Sequence, residues 1–150
     1  MDAEAARQVL AGHPTVLLID FPSEDVPIAL VKAGCVVHVK GGPGPNDFGV
    51  REANDGVVVA RRTGRPPDQV DVVFAHRPPE ELPALVRWAH ELGARVFWYQ
   101  SGLAAGGTAD PRGYWVPPEE SAHLRAQVEA AGMSYIDDRD IAEVAAHLLG

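Results

Sequence analysis

The sequence predicts a single α/β domain over 1–150: a Rossmann-like, doubly wound and mainly parallel five-stranded sheet with helices on both faces. Short β-branched apolar runs bounded by turn residues alternate with segments whose apolar residues return every three or four positions. That is the pattern of strands buried on both faces and of the helices that cover them. Right-handed crossovers then restrict the topology to the doubly wound class. A chain of 150 residues that is 46% hydrophobic suits one core at roughly 100 to 200 residues per domain, with no need of a metal or disulfide staple.

Ala3 to Leu10 reads as a short helix ended by the break Gly12-His13-Pro14. Thr15 to Asp20 is the first buried strand. Ser23-Glu24-Asp25 caps and charges a helix with Val26, Leu30 and Ala33 on its apolar face, closed by Gly34. Cys35 to Lys40 is the second strand, and the glycines and prolines of Gly41 to Asp47 cannot continue it. Between Gly49 and Asp68 the pattern weakens: Val57 to Ala60 reads as a short strand and Thr63 to Pro67 as a connector. Val70 to Ala75 is a strand, followed by the helix start Pro78-Pro79-Glu80-Glu81 and by Leu82, Leu85, Val86, Ala89 and Leu92 at helical spacing, up to Gly93. Arg95 to Gln100 is the next strand. After a long loop, Glu119 to Ala131 is a helix ended by Gly132, and Ser134 to Asp137 is the last strand. Asp140 and Glu143 form a capping arrangement ahead of Ile141, Val144, Ala145 and Leu148.

The formal charge of −8 argues against nucleic acid and anionic membranes, which need a basic footprint. No apolar run approaches the roughly 18 residues of a membrane span, and Met-Asp-Ala-Glu lacks the basic start of a signal peptide. A cytoplasmic protein is the expectation. The single cysteine, Cys35, excludes an internal disulfide and a Cys-rich metal site, and its apolar setting predicts a buried, inert thiol. The six histidines include no His-x-x-x-His pair, so no metal site is expected.

Ligands of an open parallel sheet bind beyond the carboxyl ends of its strands. That rule selects Asp20-Phe21-Pro22-Ser23, Lys40-Gly41-Gly42, His76-Arg77 and Gln100-Ser101-Gly102. A dinucleotide fold needs glycines after its first strand so that the backbone can approach a pyrophosphate. Here Asp20, Glu24 and Asp25 stand instead, and their carboxylates repel a phosphate. Lys40 suits a ribose phosphate, as in NADP or coenzyme A, or is a solvated charge; His38 alternates with apolar neighbours and is read as packed. His76 and Arg77 either present a donor and a cation to an anionic ligand, or Arg77 pairs with Glu80 or Glu81. Ser101 is no nucleophile elbow, because the required glycine two residues earlier is Tyr99. No nucleophile, base and orienting group converge, so no catalytic residue is assigned. The stretch Leu103 to Pro118 is long for a structureless connection. Tyr114 and Trp115 within it either stack on a ligand, as part of a lid, or pin the loop to the body.

Val70 to Phe74 with Arg77-Pro78-Pro79-Glu80, then Ala89 to Gly93, then Arg95-Val96-Phe97-Trp98-Tyr99-Gln100-Ser101-Gly102 resembles the small CoA-binding domain proteins, which share the fold of the succinyl-CoA synthetase alpha subunit's N-terminal domain. Ala130 to Arg139 matches the same family's Ala-Gly, strand, Asp-Arg pattern. The resemblance runs over most of residues 6 to 147 and is specific after about residue 70. It implies coenzyme A or an acyl-CoA as ligand, with contacts from Lys40, Phe74, Arg77, Gln100 and Gly102; His76 and Ser101 join them by position at the strand ends. The chain departs from the family pattern at Asp20 to Ser23, which replace a Gly-x-Ser-type loop, at Asp140, where a cysteine is common, and in the length of the loop 103–118. Three readings follow: a non-catalytic or regulatory domain that binds CoA or a related nucleotide; a scaffold that binds no CoA and meets a protein partner or a second copy of itself; and, least supported because no catalytic group converges, an enzyme.

Overall fold

The computed structural model describes residues 2–101 and 111–148. Its elements are α1 (Ala3–Ala11), β1 (Thr15–Ile19), α2 (Asp25–Lys32), β2 (Val36–Lys40), β3 (Phe48–Asn54), β4 (Val57–Arg62), β5 (Val72–Ala75), α3 (Leu82–Glu91), β6 (Val96–Tyr99), α4 (Pro118–Ala130), β7 (Ser134–Ile136) and α5 (Ile141–His147). A 3-10 turn, Pro79–Glu81, leads into α3. The strands form one sheet in the order β4-β3-β2-β1-β5-β6-β7. Strands β2, β1, β5, β6 and β7 are mutually parallel, whereas β3 is antiparallel to β2 and β4 is antiparallel to β3.

Period-two alternation divides the central strands between two cores. Val16 and Leu18 of β1, Phe74 of β5 and Trp98 of β6 pack with α1, α2 and α5. Leu17 and Ile19, Val73, Phe97 and Tyr99 pack with α3 and α4 on the other face. Every residue of β5 and β6 is buried, as strands covered on both faces must be. The order reverses between β1 and β5, because β2 lies on one side of β1 and β5 on the other. This switch point, at the carboxyl ends of β1 and β5, is where the fold opens a crevice. Cys35 is 7% exposed, and burial pushes its thiol pKa up to about 11, which keeps it protonated and unreactive at neutral pH.

The sheet has seven strands, not five, and it is mixed. The correction comes from β3 and β4, a hairpin joined by Asp55 and Gly56 at φ 51° and 81°. Two successive positive φ values define the turn whose twist matches paired strands, and Asp-Gly is a preferred sequence for it. Its second half, around Val57 to Ala60, is legible as a strand. Its first half is not, because Glu52, Ala53 and Asn54 are exposed and break the buried pattern.

Gly49 sits where a side chain has no room: a Cβ there would lie 2.8 Å from the Arg61 carbonyl oxygen on β4. Gly49→Ala is expected to push the hairpin strands apart and to cost about 1 to 3 kcal/mol. The check is a lowered denaturant midpoint with an unchanged far-ultraviolet dichroism spectrum.

Candidate ligand site at the carboxyl edge of the sheet

The carboxyl ends of β1, β2 and β5 open into a cleft of about 540 Å³, with Asp20, Lys40, Arg77 and Glu81 as its charged groups and Ile19, Pro43 and Leu85 as its apolar ones. Asp20 leaves β1 at φ 63°, a left-handed conformation that glycine adopts most easily and aspartate better than most residues. Its own Oδ1 accepts from the Phe21 amide at 2.9 Å, and its amide donates to the Lys40 carbonyl at 3.3 Å. Lys40 ends β2 directly opposite Phe48 of β3. Its ammonium donates to the Gly42 carbonyl and stands 5.5 Å from the centre of the Phe48 ring, a cation–π contact.

Arg77 is held by a fork of hydrogen bonds to Glu81, with Nε at 3.0 and 3.2 Å and Nη2 at 2.7 Å from the carboxylate oxygens. Nη1 reaches Asp20 Oδ2 at 3.4 Å. Of the pairings open in the sequence, the structure places Glu81 against Arg77. The guanidinium still lines the cleft, so pairing and a ligand-facing position coexist.

His76 faces another way. Its Nε2 donates to the Arg112 carbonyl at 2.7 Å, and its ring lies 5.0 Å from that of Tyr114. Residues 111–118 cross the edge here: the Tyr114 amide donates to the Gln100 carbonyl at 3.1 Å, and Ser101 forms a bridge with Tyr114. Arg112 carries the crossing to the far side. Its Nη1 donates to Ser23 Oγ at 3.2 Å and to Asp25 Oδ2 at 3.1 Å, and its Nη2 to Asp140 Oδ2 at 2.6 Å. Ser23 therefore caps nothing: its hydroxyl turns to Asp25, and Glu24 precedes α2 without a side-chain cap. Asp140 does cap α5, accepting from the amides of Ala142 and Glu143. Partial burial works to raise the Asp25 pKa, but the hydrogen bonds from Ser23 and Arg112 outweigh it and hold the carboxyl below its ordinary value.

The remaining residues singled out in the sequence divide by burial. Phe74 is 0% exposed within the core beneath α1, α2 and α5; its side chain packs the sheet and offers no surface to a ligand. Gln100 is buried and meets the crossing segment through its carbonyl. Ser101 is buried, its hydroxyl bonded to the Asp137 carbonyl. Gly102 and residues 103–110 lie outside the described residues. Ser101 lines a second cavity, of about 450 Å³, at the ends of β6 and β7. Lys40 and Arg77 thus share one cleft, while His76, Gln100 and Ser101 belong to the crossing segment and its far side.

Sequence reasoning missed Arg112, Asp137 and Arg125. A signal existed for the first: Arg112 is the one cation in the Gly- and Pro-rich stretch 103–118, opposite strand ends rich in aspartate. Asp137 is buried and accepts from Ser121 Oγ at 3.1 Å and Arg125 Nη2 at 3.3 Å. Among the described residues, no group of three or more His, Cys, Asp or Glu could hold a metal ion, and no helix is long and apolar enough to cross a membrane.

Residues 20–142 match the model of a CoA binding domain. Three solved structures share the fold. A PH1109 protein redesigned for binding aligns with a TM-score of 0.65 at 18% identity, over 100% of this chain and 94% of that one. A hypothetical protein from Pyrococcus horikoshii OT3 aligns at 0.62 and 18%, with the same coverage of 100% and 94%. Cell-free ID.343 from Thermus thermophilus aligns at 0.60 and 19%, over 99% of each chain. Identities this low establish a common fold alone. No curated protein matches the chain in sequence.

Because the Asp25 pKa is depressed in the fold, its stabilisation is present above the ordinary aspartate value of about 3.9 and is lost as pH falls through the lower, folded value. Arg112→Met is expected to cost about 1 to 3 kcal/mol at pH 7, and the gap to the parent should narrow at pH 3. Denaturant melts at the two pH values check this; an equal gap at both would mean that Arg112 acts by packing alone.

Proposed function

The chain belongs to the CoA binding domain family, and on that premise we propose that it holds coenzyme A or a related nucleotide across the carboxyl ends of β2, β1 and β5, as a non-catalytic or regulatory domain. The observation that carries this reading is the cleft in which Lys40 and Arg77 are both wall residues, at the fold's switch point. Phosphates need charge-assisted donors, and an ammonium and a guanidinium from adjacent parts of the edge supply them. Arg77 can serve without abandoning Glu81. The fork uses Nε and Nη2, whereas Nη1 makes only the 3.4 Å contact to Asp20, which a phosphate oxygen can replace. Ile19, Pro43 and Leu85 supply the apolar surface that cofactor clefts usually combine with a few polar groups.

The residues do not fit a diphosphate at the start of α2. Arg112 is there, but Asp25 and Asp140 already neutralise it, and an anion would stand against both carboxylates. We place the anion instead in the cleft, where Lys40 and Arg77 balance Asp20 and Glu81 and Nη1 of Arg77 is held only by the 3.4 Å contact to Asp20. A binding role rather than a catalytic one rests on the chemistry present: the charged groups of the cleft are engaged as ion pairs and cation–π partners, not as nucleophile and base.

One observation favours the second reading, a scaffold that recognises a protein instead. The start of α2 is closed by Arg112, while Trp115, in the same crossing segment, is 72% exposed. Calorimetric titration with CoA, acetyl-CoA, NADP and ATP separates the two. CoA is expected to bind and to raise thermal stability, by about 2.7 kcal/mol at 100 times the dissociation constant. Lys40→Met should weaken binding about tenfold or more, as for a lost charged hydrogen bond. Asp20→Gly, which relieves the left-handed backbone and removes a carboxylate, should tighten it. No heat and no stabilisation with any of the four at millimolar concentration would overturn the CoA reading in favour of the protein partner.

A further inference from the structure

We propose that the cavity of about 450 Å³ at the ends of β6 and β7 receives the acyl group of a neutral, short-chain acyl-CoA; the proposal rests on the CoA reading above. Tyr99, Tyr135, Val116 and Pro118 give the cavity its walls, and Trp115 stands at it although 72% exposed. The polar groups on its floor are matched to one another. The Asp137 carboxylate accepts from Ser121 and from Arg125, at 3.1 and 3.3 Å, and the Arg125 guanidinium stands 5.2 Å from the centre of the Tyr135 ring. A buried carboxylate with its partners in place leaves no uncompensated positive charge for an anionic tail, and bringing one in would cost heavily. Hydrocarbon meets no such cost.

The position fits the length of the ligand. Lys40 is in register with Ile19, Ile19 with Ala75, and Ala75 with Tyr99. Three strand spacings separate Lys40 from Tyr99, about 14 Å in all, a span that an extended pantetheine arm covers. Phosphates at Lys40 and Arg77 would thus place the thioester near the end of β6, with the arm passing the His76–Tyr114 ring pair. Tyr99 links the two chambers: it is among the residues around the acyl cavity, and its hydroxyl donates to the Arg77 carbonyl at 3.0 Å.

The test compares free CoA with acetyl-, butyryl-, hexanoyl- and succinyl-CoA by calorimetry, while following tryptophan emission. Affinity is expected to rise along the neutral series by about threefold to fourfold per added methylene until the cavity is full. Succinyl-CoA should bind no more tightly than free CoA. Hexanoyl-CoA should shift the emission to the blue, free CoA should not, and Trp115→Phe should remove the shift. Ala122→Trp, at an exposed position on the cavity rim, should flatten the chain-length series and leave free CoA binding unchanged. If free CoA binds but hexanoyl-CoA binds no better, or if Ala122→Trp leaves the series intact, the acyl cavity is overturned and the CoA reading stands. If neither free CoA nor any acyl-CoA binds, both fall.

Discussion

One guanidinium is shared between carboxylates that begin two helices: Arg112 reaches Asp25, in the first turn of α2, and Asp140, the cap of α5. Without a cation between them, two carboxylates at one sheet edge would repel each other, while each is drawn to its own helix by the dipole. Arg112 reconciles these demands. It also anchors the segment that carries it, whose carbonyl His76 holds and whose Tyr114 amide is tied to β6. The packing of α2 with α5 on one face and the crossing of residues 111–118 over the edge meet at this side chain.

The same contact bears on where an anion is proposed to sit. In a doubly wound fold the amide-rich start of the first crossover helix is the ordinary phosphate seat. Here that seat is furnished with its own cation and two carboxylates, and the backbone before it passes through Asp20 at a positive φ. The conformation is the left-handed one that glycine serves most easily, and the residue in it carries a charge. Along the edge, the cleft sets Lys40 and Arg77 against Asp20 and Glu81, and the proposed anion seat lies there. The net charge of −8 argues against phosphate polymers; the placement of individual carboxylates bears on where a single phosphate group is proposed to sit.

The parallel strands and their helices are legible in the sequence because their signals are local. Buried runs such as Val72 to Ala75 are apolar throughout, and Gly34, Gly93 and Gly132 follow the helices they terminate. Asp140 is legible as a cap for the same reason. What the sequence hid depends on distance along the chain or on surroundings. Arg112 is 87 residues from Asp25 and 28 from Asp140, so no spacing rule joins them. Phe74 carries the family resemblance, yet its place in a strand covered on both faces makes it a packing residue. Arg77 lay between two roles in the sequence, and the structure gives it a partner and a cleft together, since its donors outnumber those Glu81 can occupy.

The hairpin that the sequence pattern half concealed is also what positions the lysine. Phe48, the first residue of β3, is in register with Lys40 and lies under its ammonium. On its other side it meets Trp88 of α3 edge-on, at 6.0 Å between ring centres. The turn between β2 and β3 is closed by Asp47, whose carboxylate accepts from the Gly44 amide at 2.8 Å and whose carbonyl accepts from Gly41 at 2.9 Å. A Cβ at Gly42 or Gly44 would lie 2.7 Å from that carboxylate, so the glycines let the loop fold tightly over Asp47. Lys40 then donates to the Gly42 carbonyl, which fixes a flexible side chain at the rim of the cleft before any ligand arrives. The antiparallel wing is thus more than an edge extension of a parallel sheet. It supplies the aromatic support and the closed turn that hold the Lys40 ammonium at the rim of the cleft.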